Sequence, residues 1–140
     1  MTYLDRYVQA QANTFKAVIA ELHAGRKTTH WIWFVFPQLA GLGRSEMARY
    51  DGLKSADQAW AYWQHPLLGP RLKNCCDIVL AHKGCTAQEI FGSLDALKLR
   101  SSMTLFETAC RGEPVFKQVL QMFFGGERDA LTTALLETPA

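Results

Sequence analysis

The sequence lacks an apolar run of the ~20 residues that a membrane-spanning helix needs. Its N-terminal segment, MTYLDRYVQAQANTF, carries acidic and polar side chains where a secretory signal needs an apolar stretch. We therefore expect no membrane insertion and no export. The expected location is the cytoplasm.

A block of basic residues is also missing. The 15 Lys and Arg residues are nearly balanced by 13 Asp and Glu residues, which gives a formal net charge of +2. Proteins that follow a phosphate backbone concentrate their basic residues on one face or in one segment. We therefore expect no nucleic-acid partner.

Cysteine is scarce, and none of the four cysteines forms a C-x-x-C pair. Cys75 and Cys76 are adjacent, which is typical of free thiols in a reducing compartment rather than of a disulfide framework. The spacing from these residues to His82 and Cys85 matches no standard zinc pattern. We expect no metal and no cofactor.

The composition and the spacing of apolar residues predict one helical domain over residues 1–140. A hydrophobic content of 49% and a charged content of 20% are ordinary for a globular protein with a single core. A stripe of apolar residues at helical spacing predicts one helix from Thr2 to Gly25. Capping residues and glycines then divide the rest of the chain into helices. We expect a compact, irregular all-α bundle of seven or eight helices without a substantial sheet.

The densest segment of large side chains is the run HWIWFVFPQ, from His30 to Gln38. Its composition also suits a strand, but no second strand-like segment follows with which it could pair. We predict a short buried helix that ends before Pro37. Trp33 and Phe36 are expected to form an aromatic pocket wall, and His30 and Gln38 are expected to supply hydrogen bonds there.

Charged and polar side chains fall on predicted inward helix faces. With Leu94 taken as inward and ~100° per residue, Asp95, Lys98 and Ser102 lie in the middle of the apolar arc. Arg71 lies within the apolar arc of the preceding helix. Because a buried charge needs a partner, Asp95 is expected to pair with Lys98 and Arg71, leaving a surplus positive charge. That surplus suits an anionic ligand, whereas a closed structural network explains the pattern equally well.

Two further polar positions are candidates for ligand binding. His65 precedes Pro66 and suits acid–base chemistry or a helix cap. Ser45 follows the loop Gly41–Arg44 and opens a helical turn, so nearby amides suit an anion or a simple cap.

The string HWIWFVFPQ, followed by GLGRS, HPLLGPRL and FGSLDALKLRSSMTLF, resembles the bacterial family known as domain of unknown function 1810. The resemblance extends from about Tyr3 to Phe124 and implies a compact, mostly α-helical domain. It carries no established activity. Its motif blocks contain most of the candidate positions: His30, Trp33, Gln38, Ser45, His65, Arg71, Asp95, Lys98 and Ser102.

A fainter similarity connects the chain with N-glycosidases that act on ADP-ribose-like or riboflavin-precursor substrates. It depends on the order of a serine block, a P-x-x-G-x-x block and a lysine block. The glutamate block typical of those enzymes is not evident in this sequence.

These observations lead to one main functional hypothesis and two alternatives. The first is a polar, net-positive pocket that binds a small anionic ligand, nucleotide-like ligands included, through Arg71 and Lys98. One alternative is an N-glycosidase-type hydrolase in which Asp95 or a histidine activates water. The other is a protein-interaction module whose buried polar network is purely structural.

Overall fold

The computed structural model describes residues 2–42 and 51–137, and Ser45 lies outside these ranges. Within them the chain forms nine α-helices and a 3-10 turn at Ala40–Leu42, with no strand beyond one isolated parallel bridge between Leu39 and Leu53. The all-α prediction is confirmed. The helices are α1 Asp5–Ala12, α2 Phe15–Ala24, α3 Ile32–Val35, α4 Ala56–Gln64, α5 Leu68–Leu80, α6 Ala87–Phe91, α7 Ser93–Ala109, α8 Val115–Phe124 and α9 Ala130–Glu137.

The first predicted helix is divided in two, which corrects the expectation of one helix from Thr2 to Gly25. The division falls at Asn13 and Thr14. The Thr14 hydroxyl donates to the carbonyl oxygen of Ala10, which in a continuous helix would accept the Thr14 backbone N–H instead. The left-handed conformation of Gly25, with φ of 73°, ends α2 as predicted.

Local capping determines several other boundaries. Thr86 and Glu89 form a capping box at the start of α6, each side chain accepting the other's backbone N–H. The Ser55 hydroxyl accepts the backbone N–H of Gln58 and begins α4.

The long helix α7 is the centre of the bundle. It packs against α3, α4, α6, α8 and α9. Every residue from Ser101 to Phe106 is buried, so the second half of this helix is covered on all sides. None of the helices within the described ranges is long and apolar enough to cross a bilayer.

The aromatic run is a short buried helix, as predicted, and it connects two clusters of rings. Trp31 and Phe36 are fully buried and both contact Phe91 at the end of α6, with ring centroids 6.3 and 6.0 Å apart. Trp33 begins a second series of contacts that crosses the core. That series runs through consecutive ring pairs with centroids 5.1–5.8 Å apart: Trp33, Tyr7, Tyr62, Phe106, Phe116 and Trp63.

The aromatic character of Trp60 and Trp63 predicts a core position for both. Trp63 is half-buried against Phe116, with ring centroids 5.1 Å apart. Trp60 is 45% exposed, so its assignment to the core is wrong. The indole lies on the outer face of α4, whose inner face buries Ala59 and Tyr62.

A carboxylate on α2 holds the chain segment that leads into the aromatic run. The Glu21 carboxylate accepts the backbone N–H groups of Thr28 and Thr29 at 2.6 and 2.9 Å. It also accepts the Thr29 hydroxyl at 2.6 Å and the Trp31 indole N–H at 3.0 Å. Partial burial of Glu21 favours a higher pKa, but these four donors outweigh burial and lower the pKa from 4.5 to about 2.

We predict that Glu21→Gln lowers the free energy of unfolding by about 1–2 kcal/mol at pH 7. The pKa of Glu21 is lower in the folded than in the unfolded state. Its stabilisation is therefore complete above pH ~5 and is lost as the pH falls from ~4.5 towards ~2. Urea denaturation at pH 7 and pH 2.5 should show the difference between wild type and variant shrinking at the lower pH. The exposed Glu137→Gln serves as the control, and an equal deficit at both pH values would contradict the assignment.

Candidate functional site

The Arg71 side chain is a half-buried cation at the junction of α2 and α5. Its guanidinium carbon lies 4.5 Å from the centre of the Phe15 ring, and its Nη1 donates to Gln11 Oε1 at 3.2 Å. No carboxylate of the described residues lies within 4.0 Å of it, so the expected ion pair with Asp95 is absent there. Arg71 is thus held in place by an amide and a ring rather than by an opposite charge.

Gln11 holds this arginine from inside the core. Its side chain is only 1% exposed. Its Nε2 donates to the Phe34 carbonyl at 2.8 Å and to the Tyr62 hydroxyl at 3.1 Å, while the same hydroxyl donates to the Phe34 carbonyl at 2.8 Å. The Phe34 carbonyl can only accept, and the Tyr62 hydroxyl already donates its proton to that carbonyl, so both need the N–H groups of Gln11 Nε2. The amide oxygen of Gln11 therefore faces Arg71. The hydrogen bonds connect the arginine to the aromatic run.

Two described titratable groups that interact with the guanidinium, Tyr62 and Cys75, are neutral at pH 7. Burial raises the pKa of Tyr62 well above its usual value, so its hydroxyl stays protonated. Burial likewise raises the pKa of the Cys75 thiol to about 12, although the charge of Arg71 acts in the opposite direction. The arginine therefore supplies a positive charge that no neighbouring thiolate or phenolate neutralises at pH 7.

Asp95 belongs to a different cluster, centred on Lys27. The Lys27 ammonium lies 2.7 Å from the Asp95 carboxylate, and its side chain is only 6% exposed. It also donates to the Thr29 carbonyl at 2.6 Å and lies 5.1 Å from the centre of the Trp31 ring. The expected partners of Asp95 were Lys98 and Arg71. Lys98 is only a second partner at 3.6 Å, and Lys27, which no sequence motif indicates, is the nearer one.

The predicted orientation of α7 is wrong in its first half. Leu94, taken as inward, is 76% exposed, and the Lys98 side chain is 46% exposed. The buried residues of this half, Ala96 and Leu99, lie about 140–200° away from Leu94 at ~100° per residue. Lys98 therefore contributes no inward positive charge to α7 among the described residues.

Ser102 is the one polar candidate on α7 that is fully buried. Its hydroxyl has no hydrogen-bond partner among the described residues. It lies two turns after Asp95 on the same side of the helix, within the segment that is covered all round. A group so enclosed can reach a ligand only if the surrounding helices separate.

The candidates in the aromatic run are placed apart from one another. His30 is exposed, and Phe36 is fully buried between Trp31 and Phe91. Trp33 is half-buried, with its ring 5.8 Å from that of Tyr7. Gln38 is half-buried, and its carbonyl accepts the Leu53 backbone N–H at 2.8 Å. The described contacts thus place Phe36 in the hydrophobic core.

His65 caps a helix. Its Nδ1 accepts the backbone N–H groups of Leu67 and Leu68 at 3.1 and 3.2 Å, at the start of α5. An open depression of about 310 Å³ lies nearby, lined by Trp63, Gly69, Pro70 and Lys73. None of these four residues is among the predicted ligand-binding positions.

The structure thus places the three charged candidates in two centres, one at Arg71 and one at Asp95 and Lys98. The roles of the ten candidate residues in ligand binding stay predictions. Sequence reasoning missed Gln11, Phe15 and Lys27, although Gln11 had a visible signal. Tyr7, Gln11 and Phe15 follow one another at four-residue spacing, which places a polar side chain within an apolar helical stripe.

The fold and these polar centres define a small all-α domain whose buried polar side chains tie its helices together. The sequence model of the family described as "Protein of unknown function (DUF1810)" matches residues 1–136. The chain therefore belongs to this family, which confirms the resemblance found in its motifs. A comparison with curated proteins gives no match.

A solved structure supports the same fold. The chain is similar to the conserved hypothetical protein Rv1873 from Mycobacterium tuberculosis, known from a crystal structure. The two sequences are 49% identical, the alignment covers 97% of each chain, and the TM-score is 0.94. The helix arrangement described above is thus shared with a protein whose structure was determined experimentally.

We predict that removing Lys27 destabilises the protein far more than removing Lys98. Lys27→Met should lower the free energy of unfolding by about 1–3 kcal/mol, because it removes a buried partner of Asp95. Lys98→Met should change it by less than about 0.5 kcal/mol, since the Lys98 side chain is 46% exposed. Guanidinium denaturation at pH 7 measures both. Equal effects of the two substitutions would contradict the assignment of Lys27 as the structural partner.

Proposed function

We propose that this protein binds a small anionic ligand and that Arg71 provides the positive charge for it. The observation that carries the proposal is the environment of this arginine. It is half-buried and held in one orientation, yet no carboxylate of the described residues lies within 4.0 Å. A partly desolvated cation without an opposite charge interacts strongly with an incoming anion.

Neither Lys98, the other candidate cation, nor its neighbour Lys27 is as well suited to this role. Lys27 is within 2.7 Å of Asp95, and Lys98 lies on the exposed side of the same carboxylate. A ligand at that centre would have to compete with Asp95 for both ammonium groups. The proposal therefore transfers the anion-binding role from the pair Arg71 and Lys98 to Arg71 alone.

The hydrolase alternative relied on Asp95 or a histidine to activate water. The Asp95 carboxylate is engaged by two ammonium groups, and the His65 Nδ1 accepts two backbone N–H groups. Both arrangements favour a structural role over proton abstraction. The binding proposal accordingly involves no chemical step.

One observation favours the alternative of a protein-interaction module. Leu94 and Leu97 are 76% and 52% exposed, and they lie three residues apart on α7. The Lys27–Asp95 pair beside them is a buried structural pair of the kind that this alternative requires. The titration below separates the two functions, because an interaction module gives no anion response that depends on Arg71.

Titration with small oxyanions tests the proposal. We predict that inorganic phosphate, AMP or ADP-ribose binds the wild-type protein with a Kd of about 1 mM or tighter at constant ionic strength. Arg71→Gln should weaken this binding by at least about tenfold, since a charge-assisted hydrogen bond is lost. NMR chemical shifts and isothermal calorimetry measure the affinity.

A cation on the same helix supplies the matched control. Lys73 lies two residues after Arg71, and its ammonium is paired with Asp77 at 2.8 Å. Lys73→Gln should leave the Kd within about twofold, because surface ion pairs contribute little. Wild-type protein that responds to none of the three ligands would contradict the proposal, as would an Arg71→Gln variant with unchanged affinity.

A further inference from the structure

We propose that Gln11 is a positioning residue that leaves one edge of the Arg71 guanidinium open for a two-oxygen anion. This inference depends on the proposed function and adds the class of group that the site accepts. That class is a carboxylate, sulfate or phosphate whose two oxygens accept parallel hydrogen bonds from the Nε and Nη2 of the arginine.

Two of the three guanidinium nitrogens of Arg71 have donors that are open to a ligand. Nη1 donates to the Gln11 amide oxygen, and the Phe15 ring covers one face of the guanidinium. Neither Nε nor Nη2 donates to an acceptor within the described residues. Neither atom is buried, so both can be reached from solvent. These two groups form the side-on fork of the guanidinium, which matches a carboxylate or phosphate in its plane.

The Gln11 amide is held in one orientation by its own hydrogen bonds. Its amide cannot rotate without turning Nε2 away from the Phe34 carbonyl and the Tyr62 hydroxyl, both within 3.1 Å. Reversal would place the amide oxygen against the carbonyl of Phe34 in a buried site, which costs a hydrogen bond and adds repulsion. The amide oxygen is therefore fixed towards Nη1, and the arginine is oriented before any ligand arrives.

A glutamine at position 11 differs from a glutamate in the charge that it places beside Arg71. An ionised glutamate would hold Nη1 equally well but would neutralise the guanidinium. Glutamine anchors the arginine without consuming its charge, which is the property that an anion site requires. The same amide donates to the Phe34 carbonyl, which a carboxylate cannot do, so one glutamine serves both the helix arrangement and the proposed site.

Titration with three simple anions tests the inference. Sulfate keeps its charge between pH 5 and 8, acetate supplies a planar carboxylate, and chloride offers a single atom that cannot accept two parallel bonds. At equal ionic strength and pH 7, wild type should bind sulfate and acetate at least about fivefold more tightly than chloride. Chemical shifts of the Arg71 Nε–H report binding directly.

Gln11→Met removes the anchor and keeps the volume of the side chain. It should weaken sulfate and acetate by about five- to tenfold and reduce their preference over chloride. The matched control is Gln9→Met on the exposed side of the same helix, which should leave all three affinities unchanged. Tyr62→Phe keeps the ring and removes one acceptor of the Gln11 amide, so a smaller loss of about two- to threefold is expected. This second variant keeps the test available if Gln11→Met does not fold.

A double-mutant cycle separates positioning from general destabilisation. If Gln11 acts through Arg71, the variant Gln11→Met/Arg71→Gln binds sulfate as weakly as Arg71→Gln and no more weakly. Additive losses would overturn the inference, as would wild-type affinity and selectivity in both Gln11→Met and Tyr62→Phe. Failure of the proposed function has a different signature, because wild type itself would then prefer neither sulfate nor acetate over chloride.

Discussion

One buried carboxamide, that of Gln11, is the constraint on which the arrangement of the helices around the aromatic run depends. It lies in α1, donates to α3 at the Phe34 carbonyl and to α4 at the Tyr62 hydroxyl, and accepts from Arg71 in α5. A buried amide must satisfy its donors and its acceptor together, since each missing hydrogen bond costs about 1–3 kcal/mol. Apolar packing alone tolerates small shifts of these helices, whereas this set of bonds permits one arrangement.

The two cationic centres show how partner chemistry separates structure from proposed function. The Lys27 side chain is almost completely buried, and its charge is balanced by that of Asp95. This pair joins the segment before α3 to the start of α7. Arg71 is also fixed by a hydrogen bond, but its partner is the uncharged amide of Gln11, so the positive charge of Arg71 is not balanced by it. The difference between these anchors, rather than burial as such, makes Arg71 the stronger candidate for an anion site.

Local features were predictable from the sequence, and long-range features were not. The capping box at Thr86 and Glu89 and the stop at Gly25 depend on residues within one helical turn, so their signals are complete in the sequence. The inward face of α7 depends on which helices cover it. Leu94 indicated the wrong face, because only the second half of α7 is enclosed on all sides. The pairing of Lys27 with Asp95 joins positions 68 residues apart, and no periodicity connects them.

The most direct test of this account is hydrogen exchange of the Gln11 side-chain amide, followed by NMR in the wild-type protein. Both Nε2 protons donate to buried acceptors, so the account predicts two distinct signals that exchange far more slowly than those of the exposed Gln88 amide. Exchange of the Gln11 protons at the rate of the Gln88 protons would contradict it. The amide would then be free to rotate, and Arg71 would have no fixed anchor.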